Sequence, residues 1–167
     1  KKGSLNLRAH ALRTVGIGDL LARIEHLRKT LEVEGLFRTE RKKPLPFMPR
    51  VVGLITGRDT DALKDVVINA RRRWPATRFE VREIALQQAG TPVAAAKALA
   101  ELQEIPEVDV IVIARGGGSF EDLLPWSDEG LVRAVAAAYK PVVSAIGHEN
   151  DHPILDRKST RLNSSHT

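Results

Sequence analysis

The sequence predicts an α/β fold built on an open, mainly parallel sheet. Four short apolar segments, rich in β-branched residues, are typical of buried strands and occupy residues 51–56, 78–84, 108–113 and 141–146. Helical patterns separate these segments, at residues 61–74, 92–103 and 127–139. Alternation of strand and helix at this spacing indicates βαβ units, with helices flanking the sheet in a Rossmann-like arrangement.

Composition excludes several classes of protein. Cysteine is absent, so the chain has no disulfides, thiolate metal ligands or thiol nucleophile. No apolar run approaches the length of a membrane span, and the sequence after Lys1 lacks the pattern of a secretory signal. We therefore expect a cytoplasmic protein without a membrane partner. The chain begins with lysine and has Met48 as its only methionine, which predicts a fragment of a longer protein.

The chain divides by pattern into four parts. The first part, residues 1–15, has alternating apolar and polar side chains over residues 3–15, which predict one amphipathic strand from a domain that lacks its earlier part. Residues 16–50 begin with Gly16 and Gly18, which should end that strand, and continue as a helix over 20–34 and a proline-rich extended linker. Residues 51–156 form the α/β domain. Residues 157–167 have no apolar periodicity and resemble a non-native tail.

The net charge of +5 is unevenly distributed. Residues 1–50 hold 12 Lys and Arg against 5 Asp and Glu, whereas residues 51–156 hold 11 against 16. The basic run in the linker could meet phosphates, but a solvated linker is the favoured interpretation. Arg71, Arg72 and Arg73 end a predicted helix, where cations complement the helix dipole, and this structural role is favoured over phosphate binding.

A glycine-rich segment follows the third predicted strand. Three consecutive glycines provide no side-chain packing, so the segment must need positive φ or close approach of the main chain. Exposed N–H groups beside an arginine suit an anion such as phosphate. We interpret as phosphate-binding the residues Arg115, Gly116, Gly117, Gly118 and Ser119. A tight strand-to-helix turn with an incidental arginine is the alternative that this segment alone leaves open.

Other polar residues fall at the same predicted edge, because the carboxyl ends of parallel strands lie together. Thr56 and Gly57 follow the first strand, and the fourth strand is followed by Gly147, His148, Glu149 and Asp151. Asp65 joins them if its helix begins near residue 59 or 60, and is otherwise a surface residue. Trp126 is expected to pack in the core or rim, with stacking on a base as the less favoured role.

Three stretches together resemble one known family. They read RGGGSFEDLLPWSDE, SAIGHEND and LEVEGLF followed by KPLPFMPRVVGLITG. Over residues 5–156 the chain is similar to the exodeoxyribonuclease VII large-subunit family. The resemblance implies that residues 1–15 are the last strand of a single-stranded-DNA-binding OB-fold and that residues 51–156 are most of the nuclease domain. A C-terminal region that recruits the small subunit would be absent.

The resemblance also implies an activity and a set of residues. The family hydrolyses single-stranded DNA from either end to oligonucleotides, without requiring a metal or other cofactor, in complex with its small subunit. The catalytic positions carry over to Asp65, Arg115, His148 and Asp151. The loop after Thr56 departs from the family's usual sequence. The fragment alone is expected to be inactive.

The expected mechanism gives each group a role and leaves two choices open for Asp151 and for Asp65. Arg115 and the glycine amides would hold phosphate oxygens, and His148 suits proton transfer near pH 7. Asp151 would orient or stabilise the imidazole, and Asp65 would position water or transfer a second proton. Two alternatives stay open. The first is a metal site built from Asp65, His148, Glu149 and Asp151. The second is a nucleotide- or single-stranded-DNA-binding module that does not cut.

Overall fold

The computed structural model describes residues 9–58, 60–87, 89–147, 153–158 and 160–161. The chain forms two compact units, which divide between Gly35 and Leu36. Helix α1, Ala9–Val33, is the regular element described in the first unit. The strands and all other helices belong to the second.

Helix α1 corrects the prediction for the start of the chain. The strand predicted from residue 3 to 15 is wrong over residues 9–15, which are helical, and Gly16 and Gly18 lie within the helix rather than ending a strand. A lone strand has no partner for its backbone groups, whereas a helix satisfies its own. Gly35 has φ 76° and follows the helix, which is the usual conformation of a glycine that ends one. Residues 1–8 lie outside the described residues, so the OB-fold assignment stays a prediction.

The second unit contains a parallel sheet, which confirms the predicted α/β class. Its strands lie in the spatial order β2-β1-β3-β4-β5. They are β1 Val51–Gly57, β2 Arg78–Ile84, β3 Val108–Arg115, β4 Val142–Ile146 and β5 Thr160–Arg161. The short strand β5 was not predicted and lies in the stretch interpreted as a non-native tail, an interpretation that stays a prediction.

The helices of this unit are α2 Asp61–Arg73, α3 Thr91–Gln103, α4 Phe120–Leu123, α5 Glu129–Ala137 and α6 Ile154–Lys158. Short 3-10 turns occupy Thr39–Arg41 and Leu124–Ser127. The first of these turns interrupts the linker that was predicted to be extended throughout. The turn at Thr39–Arg41 can form because it precedes Pro44, so its residues keep the backbone N–H groups that a turn requires.

The two faces of the sheet are covered by different helices. Helix α2 packs Ala62, Leu63, Val66 and Val67 against a cluster of strand side chains that includes Val52, Leu54, Val110, Val112 and Ala114. Side chains alternate between faces along a strand, so Gly53 faces the other side. A Cβ on Gly53 would lie 3.1 Å from Leu102 of α3, so this glycine lets helix and strand approach closely. Helices α3 and α5 pack against each other.

The direction of the chain connections reverses between β1 and β3. The chain moves from β1 outward to β2, then crosses back past β1 to β3, so the connections on either side of this point run in opposite directions. Crevices at such reversals, beyond the carboxyl ends of the strands, are where open α/β sheets bind ligands. Gly57 ends β1 and Arg115 ends β3, so both lie at this edge.

At the opposite edge of the sheet, where β1 and β3 begin, one carboxylate attaches the linker to β3. Val51 pairs with Val108 and Val52 with Val110, which leaves Asp109 as the extra residue of a β-bulge. Its Oδ2 accepts from the Arg50 backbone N at 2.7 Å and from Nε at 3.1 Å, and its Oδ1 accepts from Nη2 at 2.9 Å. The end of the linker is therefore fixed to β3.

Replacing Asp109 with asparagine is expected to lower the free energy of unfolding at pH 7 by about 1 kcal/mol, because the variant loses charge-assisted hydrogen bonds at a partly exposed site. Hydrogen bonds from Arg50 lower the pKa of Asp109 to about 2. The folded-state pKa lies below the unfolded value of about 3.9, so the stabilisation is present above about pH 4 and is lost as the pH falls towards 2. Urea denaturation of both proteins across this pH range measures the difference.

The matched control is Asp61→Asn. The Asp61 side chain is 91% exposed and lies 3.8 Å from Lys64, so its replacement should change stability by less than about 0.5 kcal/mol at either pH. A destabilisation by Asp109→Asn that persisted unchanged at pH 2 would contradict the role given to the ionised carboxylate.

Candidate functional site

The guanidinium of Arg115 is folded back over the loop that follows β3. Its side chain is 12% exposed, and its Nη1 donates to the Gly116 carbonyl at 3.1 Å. Its Nη2 lies 3.7 Å from Asp122 Oδ2, which is an ion pair but too long for a hydrogen bond. The charge is therefore held in place by its neighbours while donors on the guanidinium remain for an anion.

Close approach explains one of the three glycines. A Cβ on Gly118 would lie 2.4 Å from Arg115 Nη1 and 2.7 Å from Nη2, so any larger residue would displace the guanidinium. Positive φ is not the reason, because among the described glycines it occurs at Gly35 and Gly147. Gly116 faces open space, where a Cβ would meet no atom within 4 Å. The exposed backbone of the loop is accessible to a ligand.

Ser119 caps helix α4 through a reciprocal pair of hydrogen bonds. Its Oγ accepts from the Asp122 backbone N at 3.3 Å, and its own backbone N donates to Asp122 Oδ2 at 3.0 Å. The Ser119 N–H is thus used within the protein, whereas the hydroxyl proton is free to serve as a donor. Sequence reasoning missed Asp122, which both completes this cap and pairs with Arg115. The spacing Ser-x-x-Asp of a capping box was the available signal.

Two hydrogen bonds attach the end of β4 and the start of α6 to the connection after β3. The Gly147 backbone N donates to the Arg115 carbonyl at 3.1 Å, and Gly147 has φ 70°. The Ile154 backbone N donates to Ser127 Oγ at 3.1 Å. Predicted residues His148, Glu149 and Asp151 lie between these anchors and outside the described residues. Gly147 is therefore attached to the end of β3, and Ile154 to the 3-10 turn at Leu124–Ser127.

Asp65 was expected at this edge if its helix began near residue 59 or 60. Helix α2 has Thr60 as its N-cap, so this condition is met. Its side chain is exposed, whereas the neighbouring Val66 and Val67 face the sheet. No hydrogen bond or ion pair within the described parts of the chain joins Asp65 to Arg115. Sequence reasoning also missed Arg58, an exposed cation directly after β1.

The structure removes two predicted residues from direct contact with a ligand. Trp126 is fully buried, so the favoured interpretation of packing is confirmed and the less favoured role of stacking on a base is wrong. Thr56 is also fully buried, and its hydroxyl lies 3.2 Å from that of Thr60. Thr60 Oγ1 in turn donates to the Gly57 carbonyl at 2.9 Å. These two threonines fix the turn after β1.

A metal site was the alternative use of this edge. Among residues 9–58, 60–87, 89–147, 153–158 and 160–161, no three acidic or histidine side chains group in a way that would hold a metal ion. Three of the four candidate ligands, His148, Glu149 and Asp151, lie outside those ranges, so this alternative is left to experiment. None of the described helices is long and apolar enough to cross a bilayer.

Comparison with known proteins gives a consistent result. The family model described as exonuclease VII, large subunit, matches residues 36–162. Proteins named exodeoxyribonuclease 7 large subunit from Thermobifida fusca and Acidothermus cellulolyticus are each 63% identical to the chain over 155 residues. One from Mycobacterium tuberculosis is 54% identical over 155 residues. Each alignment covers 93% of this chain, and the chain spans 37–38% of the relatives' length. The chain belongs to the family of exonuclease VII large subunits.

Proposed function

We propose that this chain carries most of the nuclease domain of an exodeoxyribonuclease that hydrolyses single-stranded DNA from either end to oligonucleotides. The observation that carries the proposal is the position of Arg115. It ends β3 at the reversal point of the sheet, beside an exposed glycine backbone, where an α/β protein binds its ligand. Family membership supports the choice of a phosphodiester as that ligand.

The proposed site stabilises the charge that develops on the phosphate. Arg115, with amides from Gly116, Gly117 and Gly118, would hold the non-bridging oxygens through charge-assisted hydrogen bonds. The guanidinium is already oriented by Asp122 and the Gly116 carbonyl, so little freedom is lost on binding. The hydroxyl of Ser119 supplies one further donor.

Proton transfer is assigned to His148, whose ordinary pKa lies near 6.5. Its location is supported by the bond from Gly147, the preceding residue, to the Arg115 carbonyl. Asp151 would orient the imidazole or stabilise its charged form, and Asp65 would position the attacking water or transfer the second proton. Catalytic groups from β3, β4 and α2 would then converge at one edge of the sheet.

We further propose that the reaction requires no metal or other cofactor, that the working enzyme contains a small subunit, and that it is cytoplasmic. The arrangement of Arg115 and the loop amides supports the first of these, because it offers positive charge where a metal would otherwise act. No observation favours a module that binds DNA or nucleotides without cutting.

The test uses the full-length large subunit that carries this segment, assembled with its small subunit. Cleavage of end-labelled single-stranded DNA is followed in excess chelator, with duplex DNA and the Arg115→Ala variant as controls. We expect the single strand alone to be degraded, and the variant to be slower by about 10²-fold or more.

Two outcomes would contradict the proposal. Cleavage that begins only when a divalent ion is added would assign Asp65, His148, Glu149 and Asp151 to a metal site. DNA binding with no product under either condition would favour the non-catalytic module.

A further inference from the structure

Basic and aromatic side chains collect at the edge of the sheet opposite to Arg115. We call the edge that holds Gly57 and Arg115 the catalytic edge. Helix α2 starts there and runs back along the sheet, so its last residues, Arg71, Arg72 and Arg73, lie at the other edge. Trp74 follows them, and β2 begins at Arg78. The Arg78 backbone N donates to the Arg50 carbonyl at 3.4 Å, which places the end of the linker at this same edge.

Besides Arg50, four arginines lie at this edge. Arg71, Arg72, Arg73 and Arg78 are exposed, and among the described residues none of them takes part in an ion pair. Arg71, Arg72 and Arg73 lie in the last turn of α2, where cations complement the helix dipole, and their exposed guanidinium groups keep donors for a ligand. Asp109 is committed to Arg50, and Glu107 lies close enough to act on Arg50 electrostatically. The edge as a whole keeps a positive surface.

Two aromatic side chains accompany this charge. Trp74 is 44% exposed, and its backbone N donates to the Ala70 carbonyl at 2.8 Å, which fixes its position. Phe47 is 98% exposed. It lies between Pro46 and Pro49, which restrict the backbone, and three residues before the Arg50–Asp109 attachment. An aromatic ring presented to solvent on a stiff, anchored segment is suited to stacking on a flat ligand.

We propose that this surface, the basic edge formed by Phe47, Arg71, Arg72, Arg73, Trp74 and Arg78, is a second binding site for single-stranded DNA. The inference rests on the proposed function, which supplies the ligand class. Cations that follow the phosphates and separate aromatic rings that stack on bases are the features of such surfaces. The seven residues of β1 separate the basic edge from the catalytic edge by about 20 Å.

Because of this separation, the contribution of the basic edge to binding should depend on the length of the DNA strand. We expect a strand of about 4 nucleotides to occupy the catalytic edge alone, and one of about 40 nucleotides to reach both edges. In the assembled enzyme, Arg72→Glu should raise the KM for the long strand about fivefold, lower the salt dependence of its binding by about 0.7 per lost phosphate contact, and leave kcat unchanged. The short strand should be unaffected. Lys97→Glu, an equal charge reversal at an exposed position of α3, should change neither KM by more than about twofold.

A second pair of variants separates stacking from apolar docking. Phe47→Trp keeps a ring and should retain affinity for the long strand, whereas Phe47→Leu keeps apolar bulk and should weaken it about tenfold. Fluorescence anisotropy with a labelled long strand measures both. Equal binding by Phe47→Leu and the parent would overturn the proposal. Equal effects of Arg72→Glu and Lys97→Glu would also overturn it. The anisotropy measurement does not depend on cleavage, so it tests the basic edge even if the proposed nuclease activity fails.

Discussion

Replacing Gly118 with alanine is expected to lower the rate of single-stranded DNA cleavage by about 10²-fold, with little change in the stability of the fold. The new Cβ would lie 2.4 Å from Arg115 Nη1, and the guanidinium, as the end of a flexible side chain, moves more readily than the backbone. Loss of one positioned donor to a developing oxyanion costs about 10²–10³ in rate. Single-turnover cleavage by the assembled enzyme, together with thermal unfolding, measures the two effects.

A double-mutant cycle tests whether the loss of rate in Gly118→Ala comes from displacement of the Arg115 guanidinium. Once Arg115→Ala has removed the guanidinium, Gly118→Ala should produce no further loss, because the added methyl group meets nothing that matters to the reaction. Gly90→Ala is the matched control, since its Cβ would meet its nearest atoms at 3.9 Å. Additive losses in the double variant would contradict the role given to Gly118.

Replacing His148 with alanine is expected to lower the cleavage rate by about 10²-fold or more, because general acid–base catalysis contributes about 10²–10⁴ in rate. The parent enzyme should show a pH dependence between about pH 5 and 9 that the variant lacks, since an unperturbed imidazole titrates near 6.5. Single-turnover rates avoid interference from product release, so the pH profile then reports the chemical step.

His26→Ala serves as the comparison for His148→Ala. His26 is an exposed residue of α1 with no assigned role in catalysis, and its loss should leave both the rate and the pH profile unchanged. A near-normal rate for His148→Ala would contradict its assignment as the proton-transfer group. Retention of the parent pH profile by a slow variant would transfer that role to another group.

The parallel sheet could be predicted because its signal is local. Buried strands such as β3 are continuous apolar runs, and the helices between them carry apolar faces at regular spacing. The start of the chain could not be predicted in the same way. Alternation over residues 9–15 fits a strand, but those residues have no partner strand among the described elements and form a helix instead.

At the candidate site, the position of Arg115 could be predicted from the sequence, but its packing could not. The strand order brings Arg115 to the crevice, and the sequence indicated this from the carboxyl end of its strand. The fold of the guanidinium over Gly118 and its pairing with Asp122 depend on side-chain contacts that no spacing specifies. Packing of Trp126, in contrast, was the favoured expectation from the sequence and is confirmed.

The chain's two tryptophans form a natural pair of optical reporters. Trp126 is fully buried and closely follows the glycine loop in the sequence. Its fluorescence emission should therefore be blue-shifted, and soluble quenchers should not reach its side chain. Trp74 stands partly in solvent at the other end of the sheet, where quenchers reach it. Intrinsic fluorescence can therefore separate an event at the surface of this protein from a loosening of its core, without any added label.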